Sequence, residues 1–181
     1  MSLSLTQQRV RKTVHLVLAL LMAAAGIMVG KEAVLLVGMG LLVAFMGAKL
    51  VRVLSPSLHI HAISHGAFFY AIGVLLTALV FLPASLEAFV AGLLVLALAD
   101  PAACLIGMSW RTRTYRVFGE TRSYGGSFAC LLVSTLVFLP FVGLPFATVG
   151  ALLVTMVEAY APQGSDNLLL PLVAAFFVAV V

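Results

Sequence analysis

SLEAFVAGLLVLALADPAACLIG, residues 85–107, decides the fold. A helix that crosses the hydrocarbon layer needs about 20 mostly apolar residues, and this stretch provides them with a single acid, Asp100, placed late in the run. The same pattern repeats outward in both directions. Candidate spans fall at roughly 13–29, 33–54, 66–82, 85–107, 125–139, 144–160 and 168–181. The last two are short for full crossings, so six spans, or a final half-helix, is the alternative count. Of the 181 residues, 64% are hydrophobic and 9% charged, far more apolar than one soluble core requires. Ten-residue stretches of alternating polarity, the mark of a transmembrane barrel, are missing from the sequence. The expectation is one integral-membrane domain over 1–181, an all-α polytopic transmembrane helical bundle of about seven spans.

The formal charge of +4 would suggest nucleic acid in a soluble protein, but here its distribution matters more. With seven spans, Arg9, Arg11, Lys12, Lys49, Arg52, Arg111, Arg113, Arg116 and Arg122 fall on one side and Lys31 alone on the other. Such a bias puts the N-terminus and the basic loops in the cytoplasm. The opening also has the form of a secretory signal, with basic residues before an apolar run; six further apolar runs make an uncleaved first span the simpler reading. Cys104 and Cys130 lie inside spans and read as packing residues, not as a disulfide or metal framework. Gly26 and Gly30 stand at GxxxG spacing, which serves close packing within the bundle or, alternatively, a homo-oligomer face.

An ionised Asp100 in an apolar helix costs several kcal/mol unless it meets water, a cation or a partner. Pro101 follows it, removes a backbone donor and crowds the carbonyl of Ala97, so the helix should be disturbed there. Glu158 closes the sixth run on the same side, and Asp166 with Asn167 precedes the seventh. Singly, Asp166 or Asn167 serves equally well as a helix cap and Glu158 as an interfacial residue. Together, Asp100, Glu158 and Asp166 form an acidic set suited to Mg²⁺ when phosphate oxygens complete the shell.

WRTRTYRVFGETRSYGGSF, residues 110–128, lies between them. Its arginines suit anionic lipid headgroups or a polyphosphate. Ser123, Gly125, Gly126 and Ser127 open the next helix, where backbone amides and the helix dipole favour phosphate, and Arg122 stands beside them. His15 follows Arg11 and Lys12 by about one helical turn, so the three share a face; it suits phosphate binding, proton transfer or an interfacial hydrogen bond. His59, His61 and His65 have no acid or thiol nearby to complete a zinc site.

These segments resemble the CTP-dependent lipid kinases, the family of dolichol kinase, phytol kinase and CTP-dependent diacylglycerol kinase, related to the phosphatidate cytidylyltransferases. The likeness runs from RKTVHLVLALL (11–21) through HGAFFYAIGVLL, ALADPAACLIG and TRSYGGS to VEAYAPQGSDNLLLP (157–171). It implies that Asp100 is the family's acid in the alanine-rich helix, that Arg122, Ser123 and Ser127 match its Lys-Ser and Gly-Ser elements, and that Glu158, Asp166 and Asn167 match its C-terminal acidic motif. Arg122 stands where lysine is usual and Gly125 where many members carry glutamate; small residues there are similar to the phytol kinase branch.

The expected activity is transfer of the γ-phosphate of CTP to the hydroxyl of a membrane lipid alcohol at the cytoplasmic interface. Asp100, Glu158 and Asp166 are the expected catalytic and Mg²⁺-binding set. Arg11, Lys12, His15, Arg122, Ser123, Gly126, Ser127 and Asn167 are the expected nucleotide and phosphate contacts. A lipid cytidylyltransferase is the near rival. A cation- or proton-coupled transporter using Asp100 is the rival from another class, though it has no need of a Gly-Ser segment beside four arginines.

Overall fold

A computed structural model of the protein describes residues 5–54, 65–110, 112–162 and 164–181. Apolar chain in lipid must satisfy its own backbone N–H and C=O groups, and the helix does this within each run. The helices are α1 (Leu5–Met28), α2 (Lys31–Leu54), α3 (His65–Phe81), α4 (Leu86–Leu94), α5 (Asp100–Ser109), α6 (Tyr124–Tyr160) and α7 (Asp166–Val180). The run at 85–107 became α4 and α5, continuous through a π-helical stretch at Val95–Ala99. The disturbance expected at Pro101 therefore takes the form of a π turn, which widens the backbone spacing just before the residue that lacks a donor.

The runs at 125–139 and 144–160 are the two arms of α6. They part at Gly143, whose φ of 73° and ψ of 167° leave helical geometry between Pro140 and Pro145. A Cβ on Gly150 would lie 3.1 Å from the Phe138 ring, so the arms fold back on each other and bring Tyr124 and Tyr160 to the same end. Among the described residues, three helices, Arg9–Met28, Leu86–Ser109 and Tyr124–Tyr160, are long and apolar enough to cross a membrane; Gly66–Phe81 and Asp166–Val180 are shorter apolar helices.

One feature departs from an all-α chain. Residues 114–123 fold into an antiparallel hairpin of β1 (Thr114–Val117) and β2 (Glu120–Ser123), with Tyr115 opposite Arg122 and Val117 opposite Glu120. Phe118 and Gly119 form its two-residue turn with φ of 48° and 84°, the handedness that matches strand twist. Four-residue strands are too short to register in a search for ten-residue alternation.

Packing centres on α7, which touches α3, α4 and α6. One buried cluster gathers Met22, Tyr70, Phe89 and Leu96 from α1, α3 and the α4 rod, and a second gathers Val95, Phe138, Val154 and Leu170 from the rod, α6 and α7. Small residues set these distances. A Cβ on Gly26 would collide with the Phe89 ring, so that GxxxG residue packs α1 on α4 within the chain. A Cβ on Gly73 would lie 2.4 Å from the Asn167 backbone oxygen, and one on Gly92 2.5 Å from that of Pro171.

Backbone cannot retreat as a side chain can. Gly73→Ala should therefore destabilise the protein by about 1–3 kcal/mol, read as a lower thermal midpoint in detergent. Gly40→Ala, with no atom within 4 Å of the new Cβ, should leave the midpoint unchanged or slightly raised.

Candidate active site

A cavity of about 510 Å³ opens at one end of the bundle, within the size range of small-molecule sites. Helix α1 contributes Arg11 and Lys12, α5 contributes Asp100, and the hairpin contributes Glu120, Thr121 and Arg122. The start of α6 adds Gly126 and Ser127, its far end Glu158, and the start of α7 Asp166 and Asn167. Ten of the eleven residues singled out in the sequence thus line one space. The exception is His15, which is buried behind it.

Asp100 is the first residue of α5, directly after the π turn. Both of its oxygens accept from Lys12 Nζ, at 2.6 and 2.5 Å, and both residues are almost fully buried. A charge placed there without its counter-charge would be severely desolvated. One turn along α1, His15 stacks on Tyr70 with ring centroids 4.6 Å apart, and the Tyr70 hydroxyl donates to the His15 backbone oxygen at 2.9 Å. These contacts place His15 in the α1–α3 packing, outside the cavity lining.

Arg122 ties the second half together. Its Nη1 donates to Glu158 Oε1 at 2.8 Å and its Nη2 to the Ala161 carbonyl at 3.0 Å, with Asp166 Oδ2 3.9 Å away. A planar guanidinium spans such partners where a lysine ammonium would reach one. Asp166 Oδ1 accepts from the Asn167 amide at 2.9 Å. The Asn167 side-chain nitrogen donates to the Gly66 and Gly164 carbonyls, fastening the start of α7 to α3.

The amide nest expected at the start of α6 is closed in this state. Ser123 caps the helix by accepting from Gly126 N at 3.0 Å, Thr112 Oγ1 accepts from Gly125 N at 3.0 Å, and the Arg113 carbonyl accepts from Tyr124 N at 3.1 Å. Two hydroxyls and a carbonyl hold the amides that a phosphate would need. Ser127 Oγ shares a hydrogen bond of 2.6 Å with the Tyr115 hydroxyl, fixing the hairpin to the same helix.

Glu120, Thr112, Tyr115 and Tyr70 were not picked out from the sequence. Glu120 had a usable signal: with a turn at 118–119, it shares a strand face with Arg122 two residues on. The others are tied by contacts between distant segments. His59, His61 and Arg111 lie outside the described residues.

Among the described residues, no three His, Cys, Asp or Glu side chains are gathered closely enough to cage a metal ion by themselves. Mg²⁺ is usually held by one or two carboxylates, water and substrate phosphates, without such a cage. Among the described residues, Glu158 Oε2 and Asn167 Oδ1 are buried oxygens with no hydrogen-bond partner, and oxygen is the donor a hard cation takes. The donor set fits a metal shared with a phosphate.

Breaking the buried pair on one side only should be costly. Lys12→Met or Asp100→Asn alone is expected to destabilise by about 3 kcal/mol or more. The double variant should lie closer to the unaltered protein than the two losses added together, measured by thermal unfolding in detergent; strictly additive losses would show that the pair has no energetic coupling.

Among known proteins, a phytol kinase of Synechocystis sp. (strain ATCC 27184 / PCC 6803 / Kazusa) is 34% identical over 122 residues, covering 62% of this chain and 52% of the relative. The chain therefore spans about half the length of that protein. No family model matches it, and no solved structure matches it. The similarity to a phytol kinase supports the likeness to the CTP-dependent lipid kinases carried by ALADPAACLIG and VEAYAPQGSDNLLLP.

Proposed function

We propose that this protein is a lipid kinase that transfers the γ-phosphoryl group of CTP to the hydroxyl of a membrane lipid alcohol. The observation that carries the reading is the convergence of Asp100, Glu158 and Asp166 with Arg11, Lys12 and Arg122 on a single cavity at one end of an apolar bundle. The named relative adds a lipid alcohol, phytol, as an acceptor class; polyprenols and diacylglycerol are the other candidates. Seven crossings, with the basic loops and this cavity on the cytoplasmic side, complete the proposal.

In the reaction, the alcohol oxygen bonds to the γ-phosphorus as the bond to the β–γ bridging oxygen breaks, and CDP leaves with that electron pair. Catalysis is mostly positioning and charge stabilisation. Arg11 and Lys12 face the phosphates from α1. The hydroxyls of Ser123 and Ser127 reach them once released from Gly126 and Tyr115. Arg122 holds Glu158 and the start of α7 in place, and its guanidinium adds positive charge to the cavity wall. Asp100 accepts the alcohol's proton when Lys12 turns to phosphate. Glu158 and Asp166 would hold Mg²⁺, joined by Asp100 only where it does not serve as the base, and the ion would supply charge neutralisation at the phosphate oxygens. The acceptor's hydroxyl sits at headgroup level and its tail lies along the apolar helices.

With the protein in liposomes containing a panel of lipid alcohols, label from γ-labelled CTP should move to lipid, and label from α-labelled CTP should not. Transfer of the α-label with release of pyrophosphate would mean a cytidylyltransferase instead. EDTA should abolish the transfer and added Mg²⁺ restore it. Glu158→Gln and Asp166→Asn should each lower the rate by about 100-fold or more while the protein still inserts; full activity in both would remove the acids from the mechanism. Ion flux without nucleotide turnover would revive a transporter.

A further inference from the structure

We propose that the β1–β2 hairpin is a membrane-docking element: Phe118 sets its ring into the interfacial layer of the bilayer, and Arg113 and Arg116 bind the phosphates of anionic lipid headgroups. This rests on the placement of the hairpin and stands apart from the reaction proposed above.

The hairpin lies across the end of the bundle and does not project from it. Its tip packs on one arm of α6, with the Phe118 and Tyr160 rings edge to face at 6.4 Å, and its base packs on the other, with Tyr115 and Tyr124 at 5.1 Å. Tyr124 and Tyr160 are the two ends of a helix long and apolar enough to cross a membrane and folded back at Gly143. Both contacts therefore hold the hairpin at the height where apolar helix gives way to headgroups, the layer that aromatic side chains favour.

Phe118 is otherwise out of place. It is 78% exposed although Tyr160 lies against it, and its φ of 48° is left-handed, a conformation that is a genuine outlier for a bulky residue. Asparagine or glycine would make the same turn without exposing a ring to water. An apolar ring held there is accounted for by a partner outside the chain.

Charge identifies that partner. Tyr115 points inward to Ser127, so strand alternation turns Arg116 to the opposite face, where it is exposed. Arg113 precedes the strand and is exposed. The exposed charges next to the tip are thus the cations Arg113 and Arg116. A second copy of the chain would set like charges against each other, whereas an anionic bilayer complements both the arginines and the ring. Because β2 also carries Arg122, docking of the hairpin would brace the wall that holds Glu158.

The test uses the full chain in phosphatidylcholine vesicles with and without phosphatidylglycerol. Trp110 is the sole tryptophan, so Phe118→Trp on a Trp110→Phe background reports on the tip alone. Its fluorescence should be quenched several-fold more by lipids brominated on the upper acyl chain than by aqueous iodide. Strong iodide quenching with weak bromolipid quenching would place the tip in water and overturn the proposal; weak quenching by both would mean that protein covers it and would overturn it equally. Independently, Trp110 emission in the otherwise unaltered protein should shift to the blue when phosphatidylglycerol is added, and Arg113→Gln with Arg116→Gln should abolish the shift. No shift in the unaltered protein would remove the headgroup contact.

Discussion

An ammonium and a carboxylate buried together in an apolar bundle set the terms for everything around them. Lys12 and Asp100 can be desolvated only as a pair, so α1 must lie beside the α4–α5 rod at one height and in one register. Tyr70 enforces that register from α3 through the His15 backbone oxygen. The π turn at Val95–Ala99 shifts the phase of the rod just before Asp100, whose carboxylate lines the cavity. A one-turn slide of α1 would leave two unpaired charges in the core, a larger penalty than any single apolar contact in the bundle returns.

Arg122 plays the corresponding part on the other wall, with a different logic. It draws together three segments far apart in sequence: the hairpin, the end of α6 and the start of α7. The fold at Gly143 makes this possible, since only an α6 that returns on itself presents Glu158 at the level of its own first turn. Close approach of α7 to Gly73 and Gly92 then seats Asp166 and Asn167 at the cavity. Both walls depend on charge pairing at one end and on small residues deeper in the bundle.

Much of this was legible in the sequence because lipid imposes simple rules. Each apolar run is a helix or the arm of one, and the acids converge as their shared side of the runs requires. What stayed hidden was partnership. Nothing in RKTVH says that Lys12 reaches Asp100, 88 residues away, or that Arg122 spends its fork on Glu158 and a carbonyl. The Gly-Ser segment read as an open phosphate nest because helix starts have free amides; Thr112 and Ser123, both nearby, satisfy them first. The hairpin escaped notice because eight strand residues carry too short a period to compete with long helices around them.

Charge balance in the cavity links these partnerships to chemistry. Its lining holds three strongly cationic side chains, Arg11, Lys12 and Arg122, against four carboxylates, Asp100, Glu120, Glu158 and Asp166. Two of the cations are already committed to two of the acids. A triphosphate entering such a space gains little from the protein alone, and its own charge adds to that of the remaining acids. Under the proposed function, divalent cations would offset that balance, and the uncommitted oxygens, Glu158 Oε2 among them, would be the ones to hold them. On that proposal the same acids that would repel a bare nucleotide would favour one that arrives with its metal, and Lys12, now held by Asp100, would be freed toward phosphate.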